Sequence, residues 1–454
     1  MHKEDRVLLN NIVLRQGNGY LIMNLINFRR QYINEEEWQI MKSIEKKKIF
    51  QLELSEQENM FYKILIDKKQ VLTEEMVSIY EKKRNLLEIK EFRLIPQIKS
   101  IMINVSYKCN FCCEYCYQKD FISGEKITIE KVDYLYDFLQ NYYNKIEETF
   151  EINEIVISGG EPLLDENLDT VQYIINKFND KCKKIILFTN GTLLMQQMDK
   201  INLKGVSNFQ ISIDGTDKVI ESVNHYHEKG ILDKILKSIN ILRQDESVNI
   251  SIAIMLCETV VENFEDLVQK LENYDLLSAK NIKIAIVSDL NFDRPQNREK
   301  CIYKNEAEYI RLKEKIQTII GNRNIQWQQP DSIASFYKAL TRPLETRWKG
   351  KISNCEVDLD FPIAFGPEGN IYWCTCINPK RGIIGRYYPD YYIDEAQINN
   401  YRYRSIYNQE ECSECEFRYL CGGGCLLKSI KNETQVYCGL WRNSYFLENM
   451  EKFF

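Results

Sequence analysis

The sequence predicts an α/β protein built around a parallel sheet. Between residues 101 and 287, short runs rich in β-branched residues alternate with amphipathic stretches, which is the pattern of successive βα units. A smaller block precedes these units, and a cysteine-rich segment follows them. The predicted strands are residues 101–106, 154–158, 184–189, 208–213, 249–255 and 281–287, and the helices between them include residues 129–142, 168–178, 232–242 and 264–271.

Six βα units of this kind form either an open sheet or part of a barrel. In both architectures, ligands and catalytic residues gather at the carboxyl ends of the strands. A further helix is predicted at residues 306–320, and it connects these units to the last hundred residues. There the hydrophobic periodicity weakens and Gly, Pro and Cys take over, as expected where metal bonds replace a hydrophobic core.

Residues 1–95 form a separate small block. A strand is predicted at residues 20–26. Asn34 and Ser55 are each followed three residues later by Glu, which is a sequence signature of a helix N-terminus. A third helix is predicted to begin at Thr73. The block is therefore expected to hold one strand followed by three short helices.

The composition excludes several classes of function. The chain of 454 residues is 44% hydrophobic, enough for a folded core, and its formal net charge is -6. Basic residues are interspersed with acidic ones, so no basic face is predicted for a nucleic-acid partner. No signal h-region and no apolar run long enough for a membrane span is found, so the protein is expected in the cytoplasm, without a membrane partner.

The count of 15 cysteines is unusually high. The number is odd, and most of the cysteines fall in two groups that lie more than two hundred residues apart. In a reducing compartment, such groups indicate metal sites rather than disulfides.

The first group follows the first predicted strand. Cys109, Cys113 and Cys116 form a CxxxCxxC pattern, which places three thiolates on one short loop. Three thiolates can hold three irons of a four-iron, four-sulfur cluster and leave the fourth iron open to a small ligand. The alternative is a zinc knuckle in which Cys112 is the fourth ligand, although adjacent Cys112 and Cys113 would strain a tetrahedral site.

This spacing, with the aromatic Tyr115 before the last cysteine, resembles the signature of the radical S-adenosylmethionine (SAM) superfamily. The resemblance implies that SAM chelates the open iron through its amine and carboxylate. Further polar motifs follow the next three strands, and they resemble the positions that contact SAM in this superfamily. The implied contacts are Gly159, Gly160 and Glu161 of a GGEP motif near the amino group, and Asn190, Ser212 and Asp214 near the ribose and carboxylate.

Each of these motifs alone is also compatible with ordinary turn chemistry. One departure from the superfamily pattern concerns the SAM carboxylate. Many relatives carry an Arg soon after the fourth strand, whereas this chain has His225 and His227 in that stretch. Either histidine is a candidate substitute, and the alternative is a surface histidine without a role.

The second group of cysteines resembles a SPASM domain, which occurs on radical SAM enzymes that modify peptides and proteins. The order matches seven positions, namely Cys355, Cys374, Cys412, Cys415, Cys421, Cys425 and Cys438. The resemblance implies one auxiliary cluster on Cys412, Cys415, Cys421 and Cys438, and a second on Cys355, Cys374 and Cys425. The second set is one ligand short, so Cys376, Cys301 or a substrate thiolate remains open as the fourth. Structural zinc is the alternative for both sets.

The resemblance extends over most of the chain after residue 101 and implies its organisation. The core would be a partial (β/α)6 barrel of the TIM type at residues 96–300, followed by a helical connector at 301–350 and a SPASM domain at 351–454. The block at 1–95 resembles the winged-helix element that binds the leader segment of precursor peptides by extending a sheet edge.

The implied activity is that of a radical SAM oxidoreductase. Three 4Fe-4S clusters and SAM are implied, with a flavodoxin or ferredoxin as external electron donor. A 5'-deoxyadenosyl radical would abstract a hydrogen from a ribosomally made precursor peptide and lead to a cross-link, for which a Cys thioether is the favoured hypothesis.

Three alternatives remain open from the sequence. Formylglycine formation on a sulfatase is disfavoured because Thr375, not Asp, follows Cys374 and because the first motif begins a hundred residues into the chain. Carbon-carbon cross-linking or maturation of a quinone cofactor leaves no distinguishing mark. A zinc-bound scaffold that only presents a peptide is the non-enzymatic alternative.

Overall fold

The computed structural model describes two compact units. One comprises residues 1–94, 331–355 and 403–454, and the other comprises residues 95–330 and 356–402. The described residues are 11–16, 18–24, 29–49, 52–68, 70, 76–78, 97–116, 118, 124–287, 306–328, 363–375, 382–402, 404, 406, 409–413, 415, 418–426 and 429.

The first unit contains a three-stranded antiparallel sheet in the order β1-β2-β3, so that β2 is the central strand and β3 lies at an edge. Ile22, Ile33, Ile44 and Leu65 are fully buried and form the centre of its core. The strands and helices are β1 (Asn11–Gln16), β2 (Gly19–Asn24), β3 (Arg30–Asn34), α1 (Glu35–Ile49) and α2 (Glu56–Asp67).

Both predicted helix starts in this unit are confirmed. The Asn34 side chain accepts from the Glu37 backbone N–H at 2.9 Å, and the Glu37 carboxylate accepts from the Asn34 N–H at 2.9 Å. Ser55 and Glu58 form the same reciprocal capping box at the start of α2. One strand is predicted in this unit, whereas the structure has three, because β1 and β3 flank β2. Of the helix predicted from Thr73, only residues 76–78 are described, and they are helical.

The second unit is built on one large sheet. Strands β4 to β10 are mutually parallel in sequence order, and this part of the sheet confirms the predicted α/β fold class. All six predicted strands are present, and β10 adds a seventh that is too short for its periodicity to be recognised. The strands are β4 (Ser100–Asn104), β5 (Ile152–Ser158), β6 (Cys182–Thr189), β7 (Asn208–Ser212), β8 (Asn249–Met255), β9 (Ile282–Val287) and β10 (Ile325–Gln328).

Alternate residues of the central strands have opposite environments. Ile155, Ile185 and Phe209 are buried, whereas Val156 and Gln210 are only partly buried. This pattern is expected when helices cover one face of the sheet and the other face is covered less completely. The helices of this unit are α3 (Ile129–Lys145), α4 (Leu168–Phe178), α5 (Leu194–Gln197), α6 (Asp217–Val223), α7 (Ile231–Leu242), α8 (Glu258–Glu262), α9 (Phe264–Asn273) and α10 (Glu306–Ile320).

An antiparallel extension continues the sheet beyond β4. Its first strand pairs in parallel with β4, with Ala364 opposite Met102. Phe365 packs against Phe138 and Tyr387, with ring centroids 5.9 and 5.3 Å apart. The extension comprises β11 (Ile363–Phe365), β12 (Asn370–Tyr372), β13 (Ile383–Arg386) and β14 (Tyr392–Ile393), and the chain continues into α11 (Glu395–Arg402).

The cysteine-rich segment of the first unit is described in two short helices, α12 (Glu410–Ser413) and α13 (Arg418–Cys421). A search of the described residues finds no helix with the length and apolar character that a membrane crossing requires.

Phe365→Ala tests whether the antiparallel extension is part of the folded core. Because the Phe365 ring is fully buried, its removal is expected to lower the free energy of unfolding by about 3–5 kcal/mol. Tyr392→Ala is the control, since Tyr392 is 52% exposed and its loss is expected to cost less than about 0.5 kcal/mol. Urea unfolding followed by circular dichroism compares the two, and equal effects would contradict the packing described.

Candidate active site

The three cysteines of the CxxxCxxC pattern lie on the loop at residues 106–116, which follows β4 at the carboxyl end of the sheet. Desolvation by the surrounding loop, together with the negative charge of Glu161, raises the pKa of the Cys109 thiol to about 12, although Cys109 keeps an exposed surface. Burial and the charge of Asp214 raise the pKa of Cys113 to about 12. A bound cation at these cysteines would favour their thiolate form.

The donor set of this loop fits an iron-sulfur cluster. Its three sulfurs come from one short segment, and two of them already receive N–H···S hydrogen bonds from asparagine side chains. In the described part of the chain, no three potential ligand side chains meet at metal-binding distances. The assignment of the cluster to these thiols therefore rests on the chemistry and order of the donors.

Two glycines fasten the loop to the end of β5. The Gly160 N–H donates to the Ser106 carbonyl, and the Glu161 N–H donates to the Lys108 carbonyl, both at 2.8 Å. A Cβ atom on Gly159 would lie 2.4 Å from the Ser106 carbonyl oxygen, and one on Gly160 would lie 2.1 Å from that of Lys108. Glycine is therefore needed at both positions for the cysteine loop to lie this close to the end of β5, whether or not a ligand also approaches the same backbone.

The Glu161 carboxylate is fully buried and holds the end of β6. Its Oε1 accepts from Leu163 N–H and Thr189 Oγ1, and its Oε2 accepts from Asn190 N–H, at 2.8–2.9 Å. Burial raises the pKa of Glu161 to about 7. A carboxylate can accept about four hydrogen bonds, so this one retains capacity for an additional donor such as an ammonium group.

Asn190 is also engaged with the cysteine loop. Its Nδ2 lies 2.8 Å from Asn110 Oδ1 and 3.8 Å from Cys109 Sγ. Its Oδ1 accepts from the Thr192 backbone and hydroxyl. The structure therefore gives Asn190 a role in holding the loop, beside the predicted contact with SAM.

Asp214 and Tyr115 are hydrogen-bonded to each other beside the cysteine loop. Asp214 accepts from the Tyr115 hydroxyl, from Asn224 Nδ2 at 2.8 Å and from the Met255 N–H at 3.1 Å. Burial raises the pKa values of both Asp214 and Tyr115. The structure thus brings Asp214 to the cysteine loop, and Ser212 is exposed at the end of β7.

The two histidines considered for the SAM carboxylate both face carboxylates of the chain. His225 Nε2 lies 3.3 Å from Glu114 Oε1, and His227 Nδ1 lies 3.1 Å from Glu221 Oε1. His225 occupies the left-handed region with φ of 52°. These contacts favour a role for His225 in binding the loop that contains Glu114.

Two residues of the site were not singled out in the sequence. Asn224 contacts Cys113 and Asp214, and it lies in the stretch after the fourth predicted strand where many radical SAM proteins carry an Arg. Glu368, in the turn between β11 and β12, accepts from the buried hydroxyls of Tyr107 and Tyr372. Tyr107 and Tyr372 each precede a cysteine by two residues, so Glu368 links the loop of Cys109 to the strand before Cys374. Long-range contacts of this kind leave no local spacing signal.

The C-terminal cysteines are described only in part. Cys412 and Cys421 are buried, Cys415 and Cys425 are partly buried, and Cys374 follows β12. Between Cys421 and Cys425, Gly422, Gly423 and Gly424 have φ values of 66°, 83° and 74°, a backbone that only glycine adopts readily. Cys301, Cys355, Cys376 and Cys438 lie outside the described residues, so the two auxiliary ligand sets remain predictions.

Comparison with known proteins finds similarity in the core. Residues 103–274 match the sequence profile of the Radical SAM superfamily. The GTP 3',8-cyclase of Staphylococcus haemolyticus is 27% identical over 224 residues, which cover 48% of this chain and 62% of the length of that relative. The probable GTP 3',8-cyclase of Methanocaldococcus jannaschii is 24% identical over 301 residues, which cover 63% of this chain and 96% of that relative.

Solved structures share the fold over a longer span. Streptococcus suis SuiB bound to S-adenosylmethionine covers 94% of this chain and 96% of its own, with a TM-score of 0.53 and 15% identity. SuiB bound to its precursor peptide SuiA gives a TM-score of 0.52 at 16% identity, covering 94% of this chain and 97% of its own. The enzyme anSMEcpe with bound AdoMet covers 78% of this chain and 96% of its own, with a TM-score of 0.53 and 15% identity.

The match over residues 103–274 agrees with the radical SAM superfamily that the first cysteine motif indicated, and it supports a radical SAM enzyme as the class of this part of the chain. The similarity to SuiB and anSMEcpe is one of fold, since the identities are low. The SPASM assignment, the number of clusters and the bond formed remain proposals.

Replacement of single cysteines tests the ligand assignment in the first motif. Cys113→Ala is expected to reduce the iron content of the anaerobically reconstituted protein by about four irons per chain, because a cluster with two thiolates is not retained. Cys112→Ala is the matched control, since Cys112 is the adjacent residue and its backbone N–H is kept. Iron and sulfide analysis checks both, and equal losses would indicate that Cys112 is also a ligand.

Proposed function

We propose that this protein is a radical SAM peptide maturase that modifies a ribosomally made precursor peptide. The main support is the convergence of the cysteine loop with the strand-end motifs, in a chain that shares its fold over nearly its whole length with SuiB. SuiB has been solved with SAM and with a precursor peptide. We further propose that the product is a cross-link, with a Cys thioether as the favoured bond.

The proposed cofactor is a four-iron, four-sulfur cluster on Cys109, Cys113 and Cys116, which together with SAM supplies a carbon-centred radical that abstracts hydrogen. Glu161 would accept from the SAM ammonium through its remaining acceptor capacity. The exposed hydroxyl of Ser212 would donate to the carboxylate. The strand-end residues around the loop would hold the reactive groups in place and exclude water.

Auxiliary clusters are proposed on the C-terminal cysteines. The set Cys412, Cys415, Cys421 and Cys438 would carry one, and Cys355, Cys374 and Cys425 would carry the other. A fourth ligand from Cys376, Cys301 or a substrate thiolate would complete the second. Such clusters would accept the electron that remains after hydrogen abstraction, which makes a net two-hydrogen oxidation the natural outcome.

A second candidate function is cyclisation of GTP, because the curated relatives are GTP 3',8-cyclases. The archaeal relative is matched over almost its full length. The match covers 63% of this chain, so the remaining 37% has no counterpart in that relative. This chain also has the antiparallel extension β11–β14, in which Cys374 follows β12, and the N-terminal strands and helices β1–β3, α1 and α2. These features favour a substrate larger than a nucleotide, which we take to be a peptide.

An assay with a candidate precursor peptide that contains a leader and a Cys tests the proposed reaction. Reduced enzyme and SAM are expected to give a peptide two hydrogens lighter, and a thioether would also remove one iodoacetamide-reactive thiol. The matched control is the Cys113→Ala protein, which is expected to leave the peptide unchanged. Loss of sulfur from a single Cys would indicate formylglycine, and SAM cleavage stimulated by GTP but not by peptide would contradict the proposal.

The three-stranded sheet of the first unit is proposed to bind the leader of this peptide as an added strand along the edge of β3. Tyr32 lies on β3 and is 48% exposed, so Tyr32→Ala is expected to weaken leader binding by about tenfold, the effect of losing one aromatic contact of about 1.4 kcal/mol. Tyr391→Ala is the matched control, since Tyr391 is a tyrosine of similar exposure (55%) in the other unit. Fluorescence anisotropy with a labelled leader peptide measures both, and equal affinities would place the leader elsewhere.

A further inference from the structure

We infer that Asn224 is a positioning residue that holds Cys113 and raises the reduction potential of the cluster proposed for this loop. The inference rests on the proposed function, since it concerns the cluster on Cys109, Cys113 and Cys116. It assigns a role to a residue outside the cysteine and GGEP motifs.

The Asn224 side chain contacts the sulfur directly. Its Nδ2 lies 3.1 Å from Cys113 Sγ and 2.8 Å from Asp214 Oδ2. Both partners are acceptors when ionised, so the orientation of the amide is determined, because the reverse orientation would direct its oxygen at two negative groups. Asn224 is only 2% exposed, and bulk water therefore does not replace this contact.

The Asn224 backbone fixes the same part of the loop. The Cys112 N–H donates to the Asn224 carbonyl at 2.9 Å, and the Glu114 N–H donates to the Val223 carbonyl at 3.1 Å. These two bonds attach the residues on both sides of Cys113 to the end of α6. The attachment uses only main-chain atoms of Asn224, so it persists when the side chain is changed.

The side chain and the backbone therefore have separable effects. An N–H···S hydrogen bond stabilises negative charge on a cluster thiolate, and this charge is larger in the reduced cluster. The amide of Asn224 accordingly favours reduction. The carboxylate of Asp214 acts in the opposite direction, since it places negative charge near the same sulfur.

Of the two polar groups in the Asn224 amide, the Nδ2 donor is the one that makes hydrogen bonds among the described residues. Asn224 Oδ1 is buried and has no hydrogen-bond partner among the described residues. A buried unsatisfied acceptor is a cost to folding, so packing alone does not account for an asparagine here. The N–H contact with Cys113 and Asp214 is the interaction that offsets this cost.

The experiment is a redox titration of the full-length, anaerobically reconstituted protein, monitored by electron paramagnetic resonance on the signal that added SAM perturbs. Asn224→Ala is expected to lower the equilibrium constant for one-electron reduction about tenfold, which is a potential ~59 mV more negative. Ser222→Ala is the matched control, because among the described residues the Ser222 hydroxyl donates to the Val219 carbonyl of its own helix and does not contact the cysteine loop. Its potential is expected to equal that of the wild type.

Each outcome decides the inference. An Asn224→Ala protein with full iron content and an unchanged potential overturns it, while the proposed function stands. If Asn224→Ala assembles less cluster, Asn224→Gln, which keeps the amide donor, is expected to restore it, and failure to do so also overturns the inference. A wild-type protein without a SAM-perturbed signal would instead refute the proposed function itself.

Discussion

The loop at residues 106–116 carries the three cysteines of the first motif, and hydrogen bonds from neighbouring strand ends hold its backbone in place. On one side, the Gly160 and Glu161 N–H groups bind the carbonyls of the loop start. On the other, the carbonyls of Val223 and Asn224 bind the peptides that flank Cys113. Because the anchors belong to different βα units, the geometry of the site depends on the sheet being correctly assembled.

The charge of the site is the second constraint. Two buried carboxylates, Glu161 and Asp214, lie at the strand ends next to the cysteine loop, and burial raises the pKa values of both. Within the described residues, hydrogen bonds from backbone and neutral side chains are the main stabilising contacts of these carboxylates. A site of this kind favours cationic ligands, and both an iron cluster and the sulfonium and ammonium groups of SAM have that character.

The sheet also connects the first cysteine loop to the strand before Cys374, which belongs to the second group of cysteines. Strand β11 pairs with β4, so the turn that contains Glu368 comes to lie beside the start of the first cysteine loop. Tyr107 and Tyr372 bind the same carboxylate, and each lies two residues before a cysteine. Glu368 therefore connects the strand that precedes Cys374 to the start of the first cysteine loop through two hydrogen bonds.

The sequence by itself determined the alternating βα pattern, the helix caps at Asn34 and Ser55, and the spacing of the three cysteines proposed as ligands. These features are local, because capping, periodicity and ligand spacing depend on residues close together in the chain. The tertiary structure decided which groups surround the thiols. Asn224, more than a hundred residues from Cys113, and Glu368, still farther from Tyr107, are brought to the loop only by pairing of strands, and no spacing rule anticipates such contacts. The short strands β10 to β14 escaped prediction for the same reason, since their stability comes from neighbours in the sheet rather than from their own sequence.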